Sequence, residues 1–167
     1  MTNVIITKKE GSALCNRLKK VNIKGEGSVG GNLVPLMFDK ILVDAPCSGE
    51  GTLRSTAKTA IMWNPNTIKQ LSKVQKQLLK SAFEILKPNG ILVYSTCTHA
   101  PEENEAIIDF AVKELGAKVE KIELPIKCSP GICNWQEDKY SNEVKKACRI
   151  YPHVSDTEGF FIAKLRK

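Results

Sequence analysis

Two cysteines follow predicted strands, at positions where a thiol could act as a nucleophile. Cys47 follows the near-continuous apolar run Phe38–Asp44, and Cys97 follows a second such run, Ile91–Ser95. Runs of this kind are typical of parallel strands that are covered on both faces. A thiolate is a strong nucleophile once its pKa is lowered, so both residues are candidates for covalent catalysis.

The two thiols are expected to face one crevice. Ligands of open α/β sheets bind beyond the carboxyl ends of the strands, and both cysteines follow such ends. Asp44 precedes Cys47 in the loop Asp-Ala-Pro-Cys and adds a carboxylate to the same region. Each cysteine taken alone could instead be a small buried residue.

Two helices are predicted around these strands. Over Thr67–Lys87 the apolar residues fall on one stripe with lysines between them, and the turn-forming residues 88–90 end the helix. A second helix is predicted to begin near Pro101, which suits a first turn. The acidic residues that follow suit the positive end of this helix: Glu102, Glu103 and Glu105.

The remaining apolar segments complete an α/β fold. Val119–Leu124 and Gly159–Leu165 are predicted strands, and residues 125–148 between them are irregular. Alternating strands and helices predict a mostly parallel sheet with helices on both faces. Right-handed crossovers then place neighbouring parallel strands side by side.

The first 37 residues carry weaker signals. Val4–Thr7 predicts a short strand, and Ser12–Lys20 predicts a weak helix. The glycines of residues 24–32 spell G-x-G-x-x-G. Pro35 does not suit the helix that a dinucleotide-binding loop requires, so we interpret this stretch as a loop.

Composition excludes several classes of protein. The chain has 167 residues, 42% hydrophobic and 26% charged, which fits one domain and excludes disordered, collagenous and coiled-coil chains. The net charge of +7 favours a polyanionic partner, although a lysine-rich soluble surface would give the same balance. No apolar run reaches the roughly 20 residues of a membrane helix. No signal-peptide pattern opens the chain, so a cytoplasmic protein without membrane contact is expected.

The other cysteines are dispersed and form no disulfide framework. Cys128 and Cys133 are close in sequence, but no second pair or nearby histidine completes a zinc site. We therefore expect no metal, and we expect four cysteines to be small buried residues: Cys15, Cys128, Cys133 and Cys148.

Three segments together resemble the Sun/Nop-type (RsmB-like) RNA cytosine-5 methyltransferases. Residues 39–52 (DKILVDAPCSGEGT) resemble the family's PC motif, and residues 92–105, with LVYSTCT and PEENE, resemble its TC motif. Residues 149–163, with RIYPH and TEGFFIA, resemble its C-terminal motif. The resemblance runs from about residue 38 to the end, which divides the single partial domain 1–167 into a weakly matched segment, 1–37, and a catalytic half, 38–167.

The resemblance implies S-adenosyl-L-methionine-dependent methylation of cytosine C5 in tRNA or rRNA, not in DNA. The TC cysteine, Cys97, would be the nucleophile that adds to C6, and the PC cysteine, Cys47, would assist release of the product. Asp44 would lie near the cofactor and the base, and Glu10 weakly matches an aspartate that approaches the adenine. Three further residues are candidates for substrate binding: Pro46, Arg149 and His153.

Several of these assignments have alternatives. DNA cytosine methyltransferases use the PC cysteine as nucleophile, so the pattern alone does not fix the two thiol roles. Arg149 could pair with an acidic side chain, Asp44 could cap backbone N–H groups, and Glu10 could be an exposed loop residue. Trp63 and Trp135 could stack on bases, although partial core packing is favoured.

The sequence departs from the family at the cofactor site. The family's first strand with its loop Asp-x-Cys-Ala-x-Pro-Gly-Gly-Lys, and a second strand with a ribose-binding acid, have no match here. The expected fold is thus an incomplete Rossmann-like methyltransferase domain that lacks its first two cofactor-binding strands. Phe38–Asp44 would be an exposed edge strand unless Val4–Thr7 or a separate N-terminal half covers it.

Two other functions remain as alternatives. One is a truncated or non-catalytic RNA-binding fragment of such an enzyme. The other is an amino-methyltransferase, which is disfavoured because residues 44–47 carry a thiol where that chemistry needs a stacking aromatic ring.

Overall fold

The computed structural model describes residues 37–167. The predicted strand Val4–Thr7, the predicted helix Ser12–Lys20 and the loop 24–32 lie outside these residues. Glu50–Thr52 and Asn142–Lys146 are 3-10 helices. The strands are β1 (Phe38–Asp44), β2 (Leu86–Thr96), β3 (Lys118–Glu120), β4 (Ser129–Pro130), β5 (Asn134–Trp135), β6 (Asp138–Lys139), β7 (Cys148–Ile150) and β8 (Phe160–Arg166); the helices are α1 (Lys58–Met62), α2 (Pro65–Glu84), α3 (Glu105–Leu115) and α4 (Pro152–Ser155).

A six-stranded sheet forms the centre of the described part of the chain. Its order is β1-β2-β8-β7-β4, and β3 pairs with β8 as well. β1 and β2 are parallel neighbours, as predicted, with Val43 beside Tyr94. β8 runs antiparallel to β2, β3 and β7, and β4 runs antiparallel to β7. Four strands therefore point the same way, which confirms the mostly parallel sheet of a mixed α/β fold.

The direction of the last strand was not evident from its apolar pattern. The segment 151–159 joins β7 to β8, and it is shorter than the dozen or so residues that a parallel crossover requires. β8 therefore returns antiparallel and places Ala163 beside Tyr94 of β2. β8 therefore pairs with the edge of β2 that lies opposite β1.

The core lies between one face of the sheet and the two long helices. Tyr94 and Phe161 project from the central strands and are fully buried. They pack in one cluster with Leu79 of α2 and Ile107 of α3, so both helices cover the same face. The two long helices of residues 37–167 therefore share one face, whereas helices were expected on both faces. None of the helices in that range is long and apolar enough to cross a membrane.

β1 is an edge strand of the sheet in the described residues. It pairs with β2 alone there, and Leu42 on its uncovered face is 69% exposed. On its other face Val43 is buried, and Ile41 is partly buried against the core. The expected apolar edge is therefore present in this part of the chain.

Turn-forming residues predicted to end the first helix lie inside β2 instead. The helix ends at Glu84, and β2 already begins at Leu86. Phe38 lies opposite Leu86, whereas Lys40 lies opposite Ile91, so the extra residues of β2 form an irregular bulge. Asn89 lies in this bulge with a φ of 63°, a left-handed conformation that asparagine tolerates.

The segment after α3 is more ordered than its composition predicts. The predicted strand Val119–Leu124 is shorter and lies at Lys118–Glu120. Residues 125–148 contain three strands of two residues each and a 3-10 helix. β7 (Cys148–Ile150) was not predicted, because three residues are too few to establish a periodicity.

Candidate active site

The ends of β1 and β2 bring the two candidate thiols into contact. The Ala45 N–H donates to the Ser95 carbonyl at 2.9 Å and extends the parallel pairing into the loops. The Sγ atoms of Cys47 and Cys97 lie 3.3 Å apart, and the Cys97 N–H donates to the Cys47 sulfur at 3.3 Å. Both cysteines are partly exposed. The predicted convergence of the two thiols is therefore confirmed.

Hydroxyl and carboxylate groups join the two thiol-bearing loops. The hydroxyls of Ser48 and Thr98 lie 2.7 Å apart, one residue after each cysteine. Glu50 accepts from the Thr98 hydroxyl and from the His99 N–H, both at 3.2 Å. These bonds hold the two loops in a fixed relative position, so the sulfur–sulfur distance depends on them.

Two glycines allow the loops to approach each other. The Gly51 N–H donates to the Cys97 carbonyl, and the Gly159 N–H donates to the Gly51 carbonyl, each at 2.9 Å. A Cβ on Gly51 would lie 2.1 Å from the Gly159 carbonyl oxygen, which no backbone can tolerate. Any side chain at position 51 would therefore separate the strand end at Cys97 from the loop before β8.

The environment of the Cys47 thiol favours its protonated form. Burial, and then the hydrogen bond with Cys97, raises the pKa of the Cys47 thiol to about 12. At neutral pH Cys47 therefore holds its proton beside the Cys97 sulfur. This arrangement suits a reaction in which one sulfur is the nucleophile and the protonated thiol beside it is a proton donor.

A buried carboxylate and amide hold the Cys47 loop, and the sequence did not reveal them. Glu103 accepts from the Ser48 N–H at 3.1 Å and from Gln75 Nε2 at 2.8 Å. Gln75 Nε2 also donates to the Pro46 carbonyl at 2.8 Å. The acidic residues after Pro101 were a signal in the sequence. They were interpreted as charges that suit the positive end of a helix, and not as supports for the Cys47 loop.

The start of α3 explains why that interpretation was incomplete. Residues 101–104 form turns, and α3 begins at Glu105. Glu103 therefore lies before the helix, where burial raises the pKa of its carboxyl above the ordinary value. Glu105 does lie in the first turn, but it is fully buried.

Arg149 forms a buried ion pair, one of the two alternatives left by the sequence. Its Nε and Nη2 donate to the Glu105 carboxylate at 2.6 and 2.8 Å. Nη2 also donates to the His99 carbonyl at 3.0 Å, so β7 is tied to the loop after Cys97. Burial lowers the pKa of His99, and the Arg149 charge lowers it further. Contact between Arg149 and a substrate base stays a prediction.

A row of rings follows this ion pair toward the surface. His99 stacks on Tyr151 with ring centroids 5.3 Å apart, and Tyr151 contacts the His153 ring at 5.5 Å. His153 is exposed. The row leaves His153 accessible, as a role in substrate binding requires.

The two tryptophans are not part of the core. Trp63 is 47% exposed and donates its indole N–H to Glu50 at 2.7 Å. Trp135 is 39% exposed and donates to Glu102 at 3.1 Å. The favoured core packing is wrong for both side chains, and base stacking stays a prediction.

Asp44 lies at the end of β1 on the open face of the sheet. Its carboxylate is exposed and accepts from the Ser95 hydroxyl at 2.8 Å. It therefore has acceptor capacity left for a cofactor or base. Its expected companion, Glu10, lies outside the described residues.

The remaining described cysteines occupy three different environments. Cys148 is buried, Cys133 is partly buried, and Cys128 is exposed, so the buried position predicted for Cys128 is wrong. The sulfur of Cys128 lies 2.6 Å from that of Cys148, and not beside Cys133. Within residues 37–167 no group of three histidine, cysteine or acidic residues is arranged to hold a metal. Cys15 lies outside the described residues.

Comparison with known proteins identifies the family of this thiol-bearing fold. The family model described as 16S rRNA methyltransferase RsmB/F matches residues 5–166. The chain belongs to the RsmB/F methyltransferase family. This membership confirms the Sun/Nop-type resemblance of the PC, TC and C-terminal motifs.

Curated RsmB/F relatives act on different RNAs by name. The chain is 48% identical over 130 residues to the tRNA (cytosine(49)-C(5))-methyltransferase of Pyrococcus abyssi, covering 78% of this chain and 42% of the relative. It is 38% identical over 165 residues to ribosomal RNA small subunit methyltransferase F of Aliivibrio salmonicida, covering 92% of this chain and 32% of the relative. The chain thus spans less than half the length of these relatives.

Solved structures of RsmB/F-like proteins share the fold. A methyltransferase homologue from Pyrococcus horikoshii superposes with a TM-score of 0.68 at 42% identity, covering 79% of this chain and 40% of that one. NSun6 from the same organism, solved with SFG, superposes with a TM-score of 0.65 at 36% identity, covering 80% and 31%. The described α/β sheet is therefore part of a methyltransferase fold.

Proposed function

We propose that this chain carries the thiol chemistry of an S-adenosyl-L-methionine-dependent RNA cytosine-5 methyltransferase that acts on tRNA or rRNA in the cytoplasm. The observation that carries this proposal is the 3.3 Å contact between the sulfurs of Cys47 and Cys97 at the ends of two parallel strands. The names of the Pyrococcus abyssi and Aliivibrio salmonicida relatives support the substrate class. The net charge of +7 suits an RNA partner.

In the proposed reaction Cys97 is the nucleophile. C5 of cytosine is a poor nucleophile, and a Cys97 thiolate that adds to C6 breaks the 5,6 double bond and makes C5 enamine-like. S-adenosyl-L-methionine supplies the methyl group that C5 accepts. Transfer of the C5 proton to water and expulsion of the Cys97 thiolate restore the aromatic base. Cys47, whose pKa is raised to about 12, is protonated beside Cys97 and assists this release.

The described residues fit one part of a cofactor site. The exposed Asp44 carboxylate could accept hydrogen bonds from the ammonium group of the methionine moiety. The NSun6 structure carries SFG, an analogue of S-adenosyl-L-methionine, which supports the cofactor class. The glycine-rich loop that would hold the rest of the cofactor is absent from the sequence.

We further propose that a separate N-terminal methyltransferase half completes the cofactor site. β1 is an edge strand within residues 37–167, and its Leu42 side chain is 69% exposed. Added strands would cover this edge and bring a glycine-rich loop to the side of the sheet that carries Asp44. Val4–Thr7 could cover the same edge, which would protect the strand without supplying that loop.

Methyl transfer to RNA tests both proposals. The full chain is incubated with labelled S-adenosyl-L-methionine and with total tRNA or rRNA. Parallel reactions add the part of the Pyrococcus abyssi relative that precedes its match to this chain. We expect transfer only when both polypeptides are present.

The variant Cys97→Ala is expected to abolish transfer, while the matched control Cys133→Ala is expected to retain it. Normal transfer by the chain alone would contradict the dependence on a partner. No transfer in any combination, with Cys97 intact, would support the alternative of a non-catalytic RNA-binding fragment.

A further inference from the structure

Gln75 and Glu103 are buried polar side chains that no catalytic role explains. Both have no exposed surface, although glutamate and glutamine are normally found at the surface. Burying such groups is unfavourable unless they form hydrogen bonds. Their hydrogen-bond partners therefore indicate their function.

Most of these bonds go to the loop that carries Cys47. Gln75 donates to the Pro46 carbonyl, and Glu103 accepts from the Ser48 N–H. The residue before Cys47 and the residue after it are thus both held, one as an acceptor and the other as a donor. The bond between Gln75 and Glu103 at 2.8 Å makes the two contacts one unit.

The elements that carry this unit make it rigid. Gln75 lies in the middle of α2. The Glu103 backbone carbonyl accepts from the buried Tyr94 hydroxyl at 2.7 Å, which fixes Glu103 against β2. Cys47 is therefore held relative to the same strand that ends at Cys97.

We propose that Gln75 and Glu103 are positioning residues that hold the Cys47 thiol against Cys97. This inference rests on the proposed function, because it assigns the pair to the step that Cys47 assists. Neither residue touches the reacting atoms. Without them the loop 46–48 would sample other positions, and the two sulfurs would separate.

The test uses Glu103→Met with Glu102→Met as the matched control, and it needs no RNA. The folded chain is alkylated with iodoacetamide at pH 8, and each cysteine is followed by peptide mass spectrometry. Glu103→Met removes the acceptor of the Ser48 N–H, so the Cys47 thiol gains exposure, loses the Cys97 contact, and its pKa falls toward the ordinary value. We expect Cys47 to react at least about tenfold faster than in the wild type. Glu102→Met should leave the rate unchanged.

A second variant, Gln75→Met, removes the contact with Pro46 while keeping side-chain length, and we expect the same change in Cys47 reactivity. An unchanged Cys47 rate in a folded variant would overturn the proposal, because a purely structural role lowers only the melting temperature. Failure of both variants to fold would also overturn it. Since alkylation is independent of methyl transfer, these results are separable from failure of the proposed function.

A second pair of cysteines supports an independent inference. Cys128 lies just before β4, and Cys148 begins β7, the strand that pairs with β4. Their sulfurs are 2.6 Å apart, between non-bonded contact and the roughly 2.0 Å of a disulfide bond. Cys128 is exposed to solvent and Cys148 is buried.

We infer that Cys128 and Cys148 form a disulfide when the chain meets a peroxide. The Cys128 thiolate attacks hydrogen peroxide, which gives a sulfenic acid and, after proton transfer, one water. The Cys148 sulfur then attacks the sulfenic sulfur, the S–S bond forms, and the hydroxyl leaves with the Cys148 proton as a second water. Two thiols lose two electrons and two protons, and the peroxide is reduced.

The disulfide would close the loop 128–148 beside the active-site support. Arg149 follows Cys148 directly and bonds the His99 carbonyl. The cross-link would restrict the conformations of the unfolded chain. It would therefore stabilise the folded state at this corner of the sheet. Cys133 lies inside the closed loop but contacts the Ser141 carbonyl instead.

Peptide mapping tests this inference. The full chain is treated with hydrogen peroxide, and remaining thiols are blocked with N-ethylmaleimide before digestion. We expect a linked peptide pair containing Cys128 and Cys148, and a higher melting temperature that dithiothreitol reverses. Cys128→Ser should abolish both effects, whereas Cys133→Ser should retain them. Oxidation of Cys128 to sulfinic acid without the linked pair would contradict the inference.

Discussion

Residues 37–167 contain two pairs of cysteines whose sulfurs are close together, in different parts of one sheet. Cys47 and Cys97 follow two parallel strands, and their sulfurs are 3.3 Å apart. Cys128 lies just before β4, and Cys148 begins β7, which pairs antiparallel with β4; their sulfurs are 2.6 Å apart. Burial raises the pKa of one thiol in each pair, Cys47 and Cys148, to about 12. The difference between the pairs therefore lies in what surrounds them.

The surroundings of the first pair suit catalysis, and those of the second suit a cross-link. Glu103 and Gln75 hold the backbone on both sides of Cys47, and both sulfurs of that pair are partly exposed. The residue before Cys128 is held by a solvent-exposed bond instead, in which the Ser155 hydroxyl donates to the Lys127 carbonyl at 2.7 Å. Thiol proximity alone thus does not define an active site; a held loop and an opening at the strand ends do.

Breaking the ion pair that connects the two regions should have the largest effect. Arg149 follows Cys148 and reaches the loop after Cys97 through His99. Arg149→Met leaves the buried Glu105 carboxylate without its partner, and we expect a loss of about 3–5 kcal/mol in the free energy of unfolding. Urea denaturation measures this loss.

The exposed pair Arg54–Asp156 provides the control for that measurement. Arg54→Met should cost less than about 1 kcal/mol, because exposed ion pairs contribute little. Equal losses for the two variants would show that Arg149 does not connect the regions as described.

Removing the Cys47 thiol should separate the two roles in the catalytic pair. If Cys47 assists release, Cys47→Ala forms the RNA adduct but turns over about 10- to 100-fold more slowly. A protein–RNA band that survives denaturing electrophoresis would accumulate with the N-terminal half present. Cys128→Ala, in the other pair, should show neither effect. An adduct-free Cys47→Ala with normal turnover would remove Cys47 from the mechanism.

The smallest expected effect is the pH dependence of Cys47 alkylation. The thiolate is the reactive form, so a raised pKa lowers the reactivity of Cys47 at neutral pH. Its alkylation rate should rise by about tenfold per pH unit through pH 10, with no plateau. Mass spectrometry of the full chain at pH 7–10 measures this slope. A plateau below pH 9 would show that burial does not hold the Cys47 proton.

The sequence predicted the parts of the site that depend on strand order. Both cysteines follow apolar runs, and the carboxyl ends of parallel neighbours meet at one edge, so their convergence was predictable. The antiparallel return of β8 was not, because an apolar strand pattern has no direction. The bulge at Asn89 was predicted as a turn, since the same residues favour both structures.

The supporting residues could not be predicted from local pattern. Glu103 and Arg149 have partners 28 to 55 residues away, and nothing near them in sequence identifies those partners. Acidic residues before a helix usually interact with its dipole, which is why Glu103 was assigned to that role. Tertiary burial overrode the local preference.

The central claim is that Cys97, held against Cys47, attacks the base. RNA containing 5-fluorocytidine tests it directly, because fluorine at C5 blocks the proton loss that releases the enzyme. The full chain and the N-terminal half are incubated with this RNA and S-adenosyl-L-methionine, digested, and mapped by mass spectrometry. The account predicts a nucleotide attached to the peptide that contains Cys97. Attachment to Cys47, or no attachment while ordinary RNA is methylated, would contradict it.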